Sequence, residues 1–98
     1  MALATVRIVT VAGPVTVLST DQVVVVNKTA GEATQVNLFA FPATGVRIVI
    51  KDGRGDAATN TITIVPATGT VDGFMAYTMN VNRQSVTLFY SGAEWEII

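Results

Sequence analysis

Val, Ile and Thr make up 37 of the 98 residues, and they fall in short runs broken by Gly, Pro, Asn and Asp. Side chains branched at Cβ lose rotamer freedom in a helix and pack well on a pleated surface, so this composition points to strands. No window carries a 3.6-residue apolar stripe, whereas alternation is widespread. The fold class that follows is all-β.

The clearest alternation lies in Arg47 to Pro66, RIVIKDGRGDAATNTITIVP. Ile48 and Ile50 share one face of a first strand, with Arg47 and Lys51 opposite; Ile62 and Ile64 share one face of a second, with Thr61 and Thr63 opposite. Asp52-Gly53 and Gly55-Asp56 between them suit a turn, because Gly accepts positive φ and Asp bonds back to its own backbone. Further strands are expected at Val6–Val11, Val15–Leu18, Val23–Val26, Gln35–Phe39, Ala76–Val81, Ser85–Tyr90 and Glu94–Ile98. Val23 to Val26 is apolar at every position and reads as a strand buried on both faces. Val36 and Leu38 share a face, as do Val86, Leu88 and Tyr90, and Trp95 with Ile97. Eight to ten short strands at such spacing predict a single-domain antiparallel β-sandwich or barrel over residues 1–98. Pro-Ala-Thr-Gly occurs at residues 42–45 and again at 66–69, which reads as shared turn chemistry rather than a repeat.

Charge narrows the function classes. Charged residues are 13% of the chain and apolar ones 50%, against roughly 25% charged in an ordinary domain. So few charges cover the surface of a small monomer poorly, and self-association or burial in a larger assembly is expected. The net charge is −1 and the six basic residues are scattered, so neither nucleic acid nor an anionic membrane is favoured as a partner. The longest apolar runs are four residues, too short for a membrane-spanning helix. The apolar N-terminus is interrupted by Arg7 and Gly13-Pro14, and its alternation favours a strand over a signal peptide.

Histidine and cysteine are absent, which removes the Ser-His-Asp triad, the Cys-His pair and ordinary zinc sites. Asp52, Asp56 and Asp72 each stand beside glycine. Asp52 and Asp56 could offer oxygens to calcium, but their spacing does not match an EF-hand, and turn formation explains all three more simply. No catalytic residue, cofactor or metal site is expected. Arg54-Gly55-Asp56 spells a tripeptide used in cell adhesion, in a segment already expected to be a turn, and Asn27-Lys28-Thr29 fits the N-glycosylation pattern. Trp95, flanked by Glu94 and Glu96, is expected to anchor the core. Phe39 and Phe41 fall at a strand end beside a Pro turn, where a monomer would expose them. With Val23, Val24, Val25 and Val26 they are the candidate interface residues.

Four segments in order, DQVVVVNKTAG, VNLFAFPATG, IKDGRGDAATNTITIVPATGTVDG and SVTLFYSGAEWEII, lie within residues 21–98. Together they resemble a β-rich module of tailed-bacteriophage virion proteins, both head decoration (cement) proteins and tail fibres. The most specific elements are the Lys51-Asp52-Gly53 turn, Ile62-Thr63-Ile64, Val71-Asp72-Gly73 and Trp95. The resemblance implies a structural, non-catalytic module assembling as a homotrimer. Phe39 and Phe41 depart from it, since a proline or small residue is expected in that segment; they imply a stickier surface. With no shaft or coiled coil before the module, a decoration protein on the capsid surface is expected over a tail fibre or receptor-binding tip. It would bridge subunits of the major capsid protein or another virion protein. Residues 1–18, outside the resemblance, are a candidate arm.

Overall fold

The structure is a computed structural model that describes residues 3–98. Nine strands form among the described residues: β1 (Val6–Val9), β2 (Val15–Thr16), β3 (Val23–Val26), β4 (Thr34–Leu38), β5 (Arg47–Asp52), β6 (Ile62–Pro66), β7 (Tyr77–Met79), β8 (Ser85–Tyr90) and β9 (Trp95–Ile97). No helix occurs among the described residues. The all-β expectation holds, and the strand count lies within the expected range.

The pairing differs from the expected antiparallel pattern. One sheet has the order β1-β3-β5-β8-β9 and the other β2-β4-β6-β7. β1, β3 and β5 run parallel, as do β2, β4 and β6; only β5–β8, β8–β9 and β6–β7 are antiparallel. The chain therefore alternates between sheets through its first six strands, as successive turns of a β-solenoid do. Parallel neighbours need a crossover, and here each crossover runs through the opposite sheet instead of a helix. The windings are unequal in length: Val6 stands beside Val23, and Val23 beside Val49. Such spacing leaves no regular period in the sequence. The two sheets end in distinct edge strands, so they make a sandwich and do not close into a barrel.

The Arg47–Pro66 stretch shows the same correction locally. β5 and β6 belong to different sheets, so the Gly/Asp-rich segment is an arch between layers and not a hairpin turn. The two Pro-Ala-Thr-Gly turns follow β4 and β6, which are neighbours in register with Leu38 beside Pro66. They turn the chain at the same end of adjacent windings.

The core lies between the sheets. Val24, Val26, Ile48, Ile50, Val86, Leu88 and Trp95 from one layer meet Val15, Val36, Leu38, Ile62, Ile64 and Met79 from the other, all buried. β1 and β2 belong to the two sheets, and Val9, Val15 and Val17 join the core. The stretch read as an arm thus contributes the first winding; its Met1 and Ala2 lie outside the described residues.

Candidate interaction surfaces

The polar residues of the 52–56 arch are absorbed by structure. Asp52 is 1% exposed. Its Oδ1 accepts from the Gly55 amide at 2.9 Å, and its Oδ2 from the amides of Ala57 at 2.9 Å and Arg83 at 3.0 Å. Burial pushes the Asp52 carboxyl up, but the three amides and the nearby Arg83 charge hold it below its ordinary value of 3.8. One carboxylate thus fixes the arch and ties it to the turn before β8. Asp56 accepts from Arg54 Nε at 2.9 Å and Asn60 Nδ2 at 2.8 Å. Its carbonyl accepts the amides of Thr59 and Asn60. The oxygens of Asp52 and Asp56 are directed at separate donors. Asp72, at φ 48°, accepts the Ile97 amide at 3.1 Å. All three aspartates therefore do turn work. The adhesion-like tripeptide is folded on itself: Arg54 bonds Asp56 and also the carbonyls of Lys28 at 2.8 Å and Thr29 at 3.0 Å.

Lys28 is buried, and its Nζ donates to Gly13 O and Glu32 Oε1, both at 2.7 Å. The Lys28 contact and the Gly13 amide hold the Glu32 carboxyl below its ordinary 4.5. These bonds join the first winding to the second. Beside them lies a cleft of about 10 Å³, lined by Lys28, Glu32, Asp52, Asp56 and Asn60 among others. That is room for about one water molecule, not for a substrate. Asn27, in the N-glycosylation pattern, is exposed.

The candidate interface residues separate into three groups. Val24 and Val26 are core residues of this domain, because β3 has one inner and one outer face. Phe39 is half-buried and meets Trp95 edge-on, with ring centroids 5.7 Å apart. Val23 and Val25 face outward, partly shielded by neighbouring strands, and Phe41 is 90% exposed.

Phe41 also has φ 55°, a left-handed conformation that is an outlier for a bulky non-glycine residue. It shares an end of the sandwich with Phe74 and Met75, also exposed. The loops meet there through Gly45 N–Tyr90 O, Trp95 N–Thr70 O and Ser91 N–Glu94 O bonds. Phe74 and Met75 were not among the sequence candidates, since they follow a turn without an alternating partner.

A second apolar surface lies on the outer face of the five-stranded sheet. Register places Val6, Val23 and Val49 in one row and Ile8, Val25 and Lys51 in the next. Val6 is 55% and Ile8 60% exposed. Arg7 stands beside Val24, on the core-facing side. Its guanidinium reaches Asp21 Oδ2 at 2.7 Å and Thr16 O at 2.8 Å. Burial pushes the Asp21 carboxyl up, and Arg7 with the Leu18 amide bring it below 3.8. Arg7 of β1 is thus turned in beside the buried Val9, while Val6 and Ile8 stand out in water, inverting the usual assignment at those three positions.

No protein-family model matches this chain, and no curated protein is significantly similar to it.

Proposed function

We propose that the chain is a structural protein of a tailed-bacteriophage virion, a capsid decoration protein that stabilises the head by bridging subunits of the shell. The observation that carries this reading is the contrast between the charged and apolar side chains. The carboxylates of Asp21, Glu32, Asp52, Asp56 and Asp72 bond to backbone amides or paired cations. Large apolar side chains stand in water at Phe41, Phe74, Met75, Val6 and Ile8. A surface of that kind suits contact with protein better than chemistry on a small molecule. Burying it at about 25 cal/mol per Å² would add binding energy to a shell under internal pressure. Homotrimeric assembly belongs to the same proposal, as does the absence of catalysis.

A tail-fibre or receptor-binding tip is the second reading. The end bearing Phe41, Phe74 and Met75 favours it, because exposed aromatics at one pole suit an end-on contact with a host surface.

The test is particle stability. Particles lacking the chain should release DNA at a lower temperature than complete ones, and purified chain added back should restore the difference. If release is unchanged and the chain instead binds host cells, the tip reading replaces the decoration reading.

A further inference from the structure

The edges of the five-stranded sheet are unlike. At one end, β9 is covered by the segment before β7: Asp72 N donates to Trp95 O, Trp95 N to Thr70 O, and the Ile97 amide to Asp72 Oδ1. At the other end stands β1. The carbonyls of Thr5 and Val9 accept from Val23 and Asn27 on the β3 side. Backbone groups alternate in direction along a strand, so the N–H and C=O of Val6 and Ile8 point away from the sheet. Their side chains are the exposed apolar pair of the outer face. An apolar edge with unpaired backbone is what proteins ordinarily blunt.

We propose that β1 pairs antiparallel with β1 of a second copy of this chain, about a two-fold axis through Arg7. In that register Val6 of each copy faces Ile8 of the other, and the two residues exchange both backbone bonds. The four outward N–H and C=O pairs of the two copies are then matched. On the outer face the Val6–Ile8 pairs extend the apolar row of Val23, Val25 and Val49 across the junction. On the inner face the two Arg7 side chains approach each other. Each is already neutralised by its own Asp21 and held by Thr16 O, so like-charge repulsion is reduced.

A second copy fits this edge for a specific reason. The far edge of the sheet is closed by Thr70 to Asp72, so β1 cannot pair head-to-tail with β9 of a neighbour and grow a filament. Within this sheet, pairing of like edges remains, and it is isologous and stops at two. The low charge of the chain, 13%, fits a protein that hides surface in such a contact. This inference does not rest on the virion reading. A three-fold ring cannot use an isologous contact, so trimers joined through β1 would contain six copies.

The experiment is native mass by light scattering at tens of micromolar, on the full chain and on Val6→Lys and Ile8→Lys. Both substitutions are at exposed side chains and leave the core untouched. The full chain should have the mass of two or six protomers, and each variant should raise the dissociation constant of the β1 contact by roughly tenfold or more. A monomer, a mass of three protomers, or a dimer unaffected by both variants overturns the pairing. A second measurement needs no variant: hydrogen exchange at the Val6 and Ile8 amides should slow as protein concentration rises. Exchange independent of concentration overturns the proposal even if a variant fails to fold. Failure here leaves the virion reading standing, because that one is decided on particles.

Discussion

Replacing Asp52 with alanine removes the acceptor for three backbone amides at once. The Ala57 amide is the most costly, because Ala57 is itself fully buried; a buried donor without a partner costs about 1–3 kcal/mol. The Gly55 and Arg83 amides lie nearer the surface, and water can partly replace the carboxylate, so each loses about 0.5–1.5 kcal/mol. The total expected is about 2–6 kcal/mol, a large share of the roughly 5–15 kcal/mol that stabilises a domain. Urea unfolding at pH 7 measures it: the midpoint should fall sharply at unchanged slope. Asp52→Asn keeps one acceptor oxygen and should lose about half as much. A loss below about 1 kcal/mol for Asp52→Ala, with unchanged slope, would refute the claim that this carboxylate holds the arch.

The folded-state pKa values of Asp21, Glu32 and Asp52 lie below their ordinary values of 3.8, 4.5 and 3.8. Their contribution is therefore complete above those values and lost as pH falls through the lower folded-state ones. Stability followed by urea unfolding should be level near neutrality and fall below about pH 4.5, with a smaller acid loss in Asp52→Asn. A Cβ at Gly53 would collide with Val25 Cγ1, so Gly53→Ala should cost about 1–3 kcal/mol by overpacking, read as a lower thermal midpoint. Phe41→Gly relieves the strain of a bulky side chain at φ 55° and should be neutral or raise stability by up to about 1 kcal/mol. The same variant should weaken whatever contact that end of the sandwich makes.

Much of the core was legible in the alternation. Val36 with Leu38, Ile48 with Ile50, Ile62 with Ile64 and Val86 with Leu88 each face inward as their spacing predicts, and Trp95 anchors them. Partnership between strands was not legible. A two-residue period tells which side chains share a face, but not which strand lies alongside, and the unequal windings hide the parallel register. Four consecutive valines at β3 carry no phase, so Val24 and Val26 could not be told from Val23 and Val25. β1 carried a phase that misleads: Arg7 faces inward because Asp21 and Thr16 O are there to receive it. Phe39 and Phe41 alternate in sequence yet diverge in space, since β4 ends at Leu38 and Phe41 beyond it takes a positive φ. The surface candidates followed the same limits. Phe41 stood out by its size beside a Pro turn, while Val6 and Ile8 became visible only once the edge strand was known.

Copy number relative to the major capsid subunit in purified particles decides whether the chain coats a phage head as proposed. A fixed ratio of the same order as the capsid subunit, retained in tailless heads, is the result expected. A few copies per particle, lost with the tail, would contradict it.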